Sequence, residues 1–306
     1  MFFYNDYASW SERTFGHRVQ KIALDAGFTC PNRDGSKGRG GCVFCDNASF
    51  NPPYCSSGKT IRQQLEEGKR FFAHKGIQGH YLAYFQAFSN TYAPLERLKA
   101  LYGEALDVEG VEGLVIATRP DCVDEEKLDY LELLNRQTHV EVEYGLESVL
   151  DRTLALVNRC HTHECSRRAL TATRQRGITT GAHVILGLPG ESREDMLGQA
   201  GTVSTLDVDI LKIHQLQVIR GTRLACLYAQ SPFPLFDAEG YVRLVAEYLR
   251  RLRPDIVIER IVSTSPGSHL LAPRWGLKAN EVAHRLQAYM NDNGYRQGDC
   301  YLRLVL

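Results

Sequence analysis

The sequence predicts an α/β fold: a partial, open (βα) barrel of six units followed by a C-terminal α/β extension. Three observations carry this prediction. Apolar runs of strand length alternate with helical stretches through most of the 306 residues, the order that gives a parallel sheet with right-handed crossovers. Polar and glycine residues gather just after the strand runs, the end on which barrels build their sites. Only six such units can be counted, short of the eight of a closed barrel.

The predicted strands are 21–28 (KIALDAGF), 80–88 (HYLAYFQAF), 113–119 (GLVIATR), 139–147 (HVEVEYGLE), 181–188 (GAHVILGL) and 210–219 (ILKIHQLQVI). Helical stretches lie near 60–74, 94–107, 124–136, 163–176 and 191–205. Asp124 precedes EEKLDYLELL, and Gly190-Glu191-Ser192 opens a helix with Glu194 and Asp195; acidic first turns suit the helix dipole. Beyond residue 219 the pattern loosens, with SPFPLF at 231–236, a helix near 238–252, a strand near 258–264 and a last helix near 279–292. The expected division is an N-terminal segment 1–14, a barrel core 15–265 and a helical extension 266–306.

Hydrophobic residues make up 43% and charged residues 24%, as in an ordinary globular protein. Thirty-six basic residues balance thirty-six acidic ones, so no global field draws the chain to nucleic acid or an anionic membrane. No run approaches the ~18 apolar residues of a membrane span. The start MFFYNDYASW lacks the basic and apolar regions of a signal peptide, and a cytoplasmic location is expected. Nine cysteines fall well below the ~8–10% of a disulfide scaffold. In a reducing compartment, clustered thiols point to metal binding or catalysis.

The sharpest local signal is CPNRDGSKGRGGCVFC, which places Cys30, Cys42 and Cys45 directly after the first strand. Thiolates gathered in one loop suit a soft metal centre. Gly35, Gly38, Gly40 and Gly41 let the loop fold around a bulky group, and Lys37 and Arg39 offset thiolate charge. Three cysteines can hold three irons of a four-iron cluster and leave the fourth open. Structural zinc closes its tetrahedron with four protein ligands, and Cys55 is available as the fourth. Spacing leaves both readings open.

Further motifs follow in order: LDAGFTCPNRDGSKGRGGCVFC (24–45), YFQAFSNTYAP (84–94), ATRPD (117–121), YGLES (144–148), NRCHT (158–162), HVILGLPGE (183–191) and HQLQVIRGT (214–222). With the cysteines after strand one, this set resembles the radical S-adenosylmethionine (SAM) superfamily. Within it, the set is similar to the elongator-catalytic-subunit-like branch and its YhcC-type bacterial proteins, over about residues 15–265. The resemblance implies a radical SAM partial barrel in which Cys30, Cys42 and Cys45 hold a [4Fe–4S] cluster, with SAM on its open iron. It implies that Phe44 approaches the adenine, and that Gln86, Ala87, Phe88 and Ser89 stand where the superfamily contacts the methionine amino group. The usual Gly-Gly-Glu-like form is absent there. Glu147 and Ser148 become candidates for the ribose or amino group, and Arg119 for the carboxylate, a role suited to guanidinium. Gly187 and Gly190 would let the backbone approach the adenine.

The implied chemistry is one-electron reduction of the sulfonium, giving methionine and a 5′-deoxyadenosyl radical that abstracts hydrogen from a substrate. A flavodoxin or ferredoxin-type donor is implied; tRNA is a candidate substrate by analogy with that branch, beside a small metabolite or a protein side chain. Lys212, His214 and Gln217 are candidates to line the substrate space. Plainer readings stand beside these: Glu147 faces solvent, Arg119 acts on Asp121, and His214 is a core histidine. NRCHT carries Cys160 where the branch has glycine, and with His161, His163 and Cys165 it offers a second metal set or an exposed helix start. Five arginines (159, 167, 168, 174 and 176) face one acid, Glu164, with Arg250, Arg251 and Arg253 as a second cluster; they neutralise phosphates or form a solvated face. The competing functions are a zinc-stabilised nucleic-acid-binding module without catalysis, and a barrel enzyme using Lys212 as a Schiff base or a phosphate loop.

Overall fold

The computed structural model describes residues 3–46, 51–74, 79–263, 265 and 267–301. The chain opens with α1 (Tyr7–Phe15), started by Asp6, whose carboxylate accepts from the Ser9 amide at 3.0 Å. Then come β1 (Gln20–Leu24), α2 (Ile61–Ala73), β2 (Tyr81–Phe85), α3 (Leu95–Leu106) and β3 (Val111–Thr118). Next are α4 (Glu125–Asn135), β4 (His139–Glu147), α5 (Asp151–Leu156), α6 (His163–Gln175), β5 (Thr179–Leu186) and α7 (Arg193–Ser204). The last third holds β6 (Ile210–Gln215), β7 (Val218–Ile219), α8 (Arg223–Gln230), α9 (Ala238–Arg251), β8 (Val257–Arg260), β9 (Leu270–Ala272) and α10 (Ala279–Asp292). Helix starts follow the predicted chemistry. Asp124 accepts from the Lys127 amide, and Thr60 with Gln63 and Ser192 with Asp195 form reciprocal capping boxes.

Seven strands form one parallel sheet in the order β1-β2-β3-β4-β5-β6-β8. This is an open half-barrel, with helices on its outer face. Its strands are buried on both faces, as in an internal parallel sheet; Leu82, Ile116, Val142, Val184 and Ile213 are fully buried.

Two features differ from the sequence expectation. The run expected as one strand over 210–219 breaks after Gln215, and Val218–Ile219 instead pairs antiparallel with β9. The strand expected near 258–264, beyond the six counted units, is Val257–Arg260, a seventh parallel strand beside β6; residue 264 lies outside the described residues. The crossover to it runs through β7, α8 and α9, a detour that hides the seventh unit from periodicity.

The two chain ends meet on β8. The Ile258 amide donates to the Asn5 carbonyl at 2.7 Å. The Gln297 side chain accepts from the Asn5 amide and donates to the Ile256 carbonyl, both at 2.9 Å. Helix α1 covers the N-terminal strand ends, where His139 packs against Trp10 and Phe15.

Charged side chains fill the middle of the half-barrel. The Lys21 ammonium lies 3.1 Å from Glu141, 3.0 Å from Glu143 and 2.6 Å from Glu259. Lys212 pairs with Glu143 and, at 3.0 Å, with Glu259. Every member is buried or nearly so. Removing one partner of such a group strands the others without solvent. Lys21→Met is therefore expected to cost ~3–5 kcal/mol in anaerobic urea unfolding; a loss below about 1 kcal/mol, the value of an exposed pair, would contradict this account.

His139 supplies a pH test. Its Nε2 is buried with no partner among the described residues, and burial, helped by Lys21, lowers its pKa from 6.5 to about 4. Between those values the unfolded chain takes a proton that the folded chain refuses, so stability falls as pH falls through the window. One such group contributes roughly 1.4 kcal/mol per pH unit. His139→Phe is expected to lose less stability than the wild type from pH 6.5 to 4, and parallel curves would exclude the assignment.

Candidate active site

The loop after β1 wraps its three cysteines around the C-terminal end of the half-barrel. Amides of Arg33 and Asp34 donate to the Cys30 carbonyl at 2.8 and 3.1 Å, and the Cys45 amide donates to the Cys42 carbonyl at 3.0 Å. Gly38 earns its place by close approach: a Cβ there would sit 2.1 Å from Asn32 Oδ1 and 2.9 Å from Cys160 Sγ. Cys30, Cys42 and Cys45 border one cavity of about 220 Å³.

A turn at 157–160 clamps this loop. The Val43 amide donates to the Val157 carbonyl at 3.0 Å, and Asn158 Nδ2 donates to the Gly41 carbonyl at 2.8 Å. Asn32, fully buried, donates back to the Asn158 carbonyl and approaches Cys42 Sγ at 3.7 Å. Arg159 lies 3.5 Å from Cys42 Sγ through Nη1, and its Nη2 donates to the Gly145 carbonyl at the end of β4. Gly145 has no room for a side chain, because a Cβ would lie 2.6 Å from Arg159 Nη2. Arg159, one of the five arginines expected to meet phosphates or form a solvated face, is buried. The motif NRCHT was visible, but spacing alone does not say that its arginine turns inward.

The strand ends supply the rest of the wall. Phe44, Gln86, Phe88, Ser89, Arg119 and Glu147 all border the cavity with the cysteines. Phe88 and Glu147 sit at φ of 66° and 67°, a left-handed conformation uncommon outside glycine. Arg119 is bound to Asp121 at 2.8 and 3.0 Å and to the Arg159 carbonyl at 2.8 Å, leaving Nη1 with no partner among the described residues. Against burial, Arg119 and Lys37 hold the Asp121 carboxyl down to about 2. Arg119 thus pairs with Asp121 and also offers one free donor.

Other expected residues lie elsewhere. Ala87 is buried behind the wall, and Ser148 donates to Glu191, linking the ends of β4 and β5. Gly187 faces Phe236 and Leu216, and Gly190 faces Leu156; neither borders the cavity. His214 and Gln217 do border it, but Lys212 does not, because the sixth strand carries it one level deeper into the charged network. Burial pushes the His214 pKa well below its ordinary value, with Arg260 adding. His183 and Arg260 complete the floor, with His183 Nε2 3.1 Å from Glu143. Neither was singled out by sequence reasoning.

The two metal readings make different demands on the thiols. Cys55 packs in the main core beside Tyr54 and does not border the cavity. Burial, with Asp25 adding, pushes its thiol up to about 12. The other three sulfurs fall in no group drawn together tightly enough for one ion, among the described residues. The same holds for His161, His163 and Cys165. Thiols spread around a cavity, with Asn32 and Arg159 donating toward sulfur, fit a multinuclear cluster better than a closed four-ligand ion site. Burial, with Cys42 adding, pushes the Cys45 thiol up to about 11, opposed by Arg33 and Arg159.

Cys160 adopts φ 60°, where an L-residue costs ~1–2 kcal/mol. Its side chain is exposed, so little packing depends on it. Cys160→Gly is expected to stabilise the chain by about 1 kcal/mol in anaerobic urea unfolding; an unchanged midpoint would mean that the turn carries no such strain.

A model of the radical SAM superfamily matches residues 32–198, and one of the radical SAM C-terminal domain matches 208–292. The protein YtqA of Bacillus subtilis (strain 168) is 37% identical over 290 residues, 95% of this chain and 90% of its own. Protein YhcC of Escherichia coli (strain K12) is 35% identical over 283 residues, 92% and 90% of the two chains. A tRNA uridine(34) acetyltransferase of Methanocaldococcus infernus is 26% identical over 187 residues, 60% of this chain but 34% of that protein. The structure of Methanocaldococcus infernus Elp3 lacking its N-terminus superposes with a TM-score of 0.68 at 18% identity, covering 91% of this chain and 64% of that one. With more than half of the sequence under the superfamily model and relatives aligned over nearly their whole length, the chain belongs to the radical SAM superfamily.

Proposed function

We propose that Cys30, Cys42 and Cys45 hold a [4Fe–4S] cluster, that SAM binds beside it, and that the cavity positions a substrate for hydrogen abstraction. The observation that carries this reading is the shared cavity: three thiols of one loop face the polar strand ends, and Cys55 does not. When bound, the cluster and SAM supply reductive cleavage of the sulfonium and a 5′-deoxyadenosyl radical. The hard chemistry belongs to the cofactors.

The chain's own residues position and exclude. Asn32 and Arg159 donate toward Cys42 and offset thiolate charge. The free Nη1 of Arg119 suits the carboxylate of SAM, and Gln86 with Ser89 suits its amino group; Phe44 and Glu147 then stand for the adenine and ribose ends. Ile185 and Leu216 keep water from that side. His214 and Gln217, with His183 and Arg260, are left to meet polar groups of the substrate. An external donor of the flavodoxin or ferredoxin type supplies the electron, and the exposed Arg39 beside Lys37, which pairs with Asp121, gives the loop a basic side to meet it. A reducing cytoplasm suits such a centre.

RNA enters as a substrate class through the name of the acetyltransferase relative, which covers 60% of this chain. The arginine-rich helix lends it little. Arg167 and Arg168 both pair with Glu164, Arg174 with Asp209, and Arg176 with Glu125 and Asp129. Arg250 pairs with Asp299, Arg251 with Glu247 and Arg253 with Asp255. Among the described residues no helix is long and apolar enough to cross a membrane.

Electron paramagnetic resonance of anaerobic, dithionite-reduced protein tests the proposal. A one-electron-reduced four-iron signal that changes on adding SAM is expected in the wild type and in Cys55→Ala. It should be absent from Cys30→Ala, Cys42→Ala and Cys45→Ala. A silent wild type carrying zinc that Cys55→Ala loses would overturn the reading in favour of the zinc-stabilised binding module.

A further inference from the structure

A second ligand set lies at the opposite end of the half-barrel from the cysteines. His17 sits in the link between α1 and β1, His80 immediately precedes β2, and Glu112 is the second residue of β3. One carboxylate serves both rings: Glu112 Oε2 lies 2.8 Å from His17 Nε2, and its Oε1 meets His80 Nδ1. The two imidazoles stack with centroids 3.6 Å apart and planes 29° from parallel. One ligand atom from each of the three residues falls within 4.8 Å of the others.

The sheet builds this arrangement. The Gln20 amide donates to the His80 carbonyl at 2.9 Å, and Thr138 Oγ1 donates to the Glu112 carbonyl at 2.8 Å. Three neighbouring strand ends thus hold the ligands in register. All three side chains are partly exposed, at 34%, 45% and 30% for His17, His80 and Glu112, so water can complete a coordination shell. The other close carboxylate group, Glu141 with Glu143 and Glu259, differs in kind: Lys21 and Lys212 already occupy its centre.

We infer that His17, His80 and Glu112 bind one divalent ion of the zinc class, with solvent filling the open position. Two neutral imidazoles and one carboxylate form a donor set that zinc accepts in three-ligand sites. Three ligands from three segments make the ion a clasp: it ties the α1–β1 link to the starts of β2 and β3. The site is remote from the cysteine loop, and its existence does not depend on the proposed radical chemistry.

Zinc titrated anaerobically into the full chain, in competition with a chromophoric chelator, tests the site by difference. Zinc taken up by thiols is common to wild type, His17→Ala and Glu112→Gln, so the gap between curves reports these ligands. The wild type is expected to bind one zinc more than His17→Ala. Glu112→Gln should weaken that ion by more than about 100-fold, beyond what loss of a supporting residue produces. Identical curves for all three proteins would overturn the inference. Should a variant fail to fold, carbethoxylation of the wild type mapped by mass spectrometry decides. Zinc must protect His17 and His80 together, and equal labelling with and without zinc would refute the site. A protein lacking iron and SAM binding but showing this protection would fail the proposed function while keeping the zinc site.

Discussion

The ion pair between Lys21 and Glu259 joins the two edges of the sheet. β1 and β8 stand at opposite ends of the strand order, yet their side chains meet at 2.6 Å. An open sheet has no backbone ladder to fix how far it curls; here an ammonium inside the curve does so by gripping β4 and β8 together. Burying five charges is costly unless they balance. Burial raises the Glu141 pKa against the pull of Lys21, which eases the excess of three carboxylates over two lysines. Its upper surface, through Glu143 and His183, is the floor of the cavity, so the same contacts that set the curvature set the depth of the site.

Much of the fold was legible because buried parallel strands and amphipathic helices leave strong periodic traces. Asp124 and Ser192 announced their helices through chemistry that local sequence fully contains. The seventh strand was not legible as part of the barrel, because its crossover is interrupted by a short hairpin strand and an extra helix. The site divided along the same line. Three cysteines in one loop can be read from spacing, and so can residues directly after a strand, such as Gln86 and Arg119. Depth cannot. Lys212 and His214 share a face of β6 by parity, but only the three-dimensional curve shows that one reaches the cavity and the other lies beneath it.

Contacts made by one turn on another were equally hidden. Asn158 and Arg159 are separated from the cysteine loop by more than a hundred residues, and their role is to grip it through carbonyls and a sulfur. Arg119 then grips the carbonyl of Arg159. The ends of β3 and β4 and the cysteine loop are therefore one mechanical unit. Cys160, in a left-handed conformation beside Gly38, shows how little freedom this turn has: the loop packs so closely that the backbone shape survives even where its residue is ill suited to it.

The meeting of Asn5 with Ile258, and of Lys21 with Glu259, has a consequence for the order of events during synthesis. Contacts so distant in sequence are slow to form, because the intervening chain must first be made and gathered. As β1 to β4 leave the ribosome, Lys21 can reach Glu141 and Glu143, but its third carboxylate does not yet exist. β8 supplies that carboxylate and pairs with the N-terminal segment through Asn5, so a late stretch of the chain acts as the latch on a structure its first residues began.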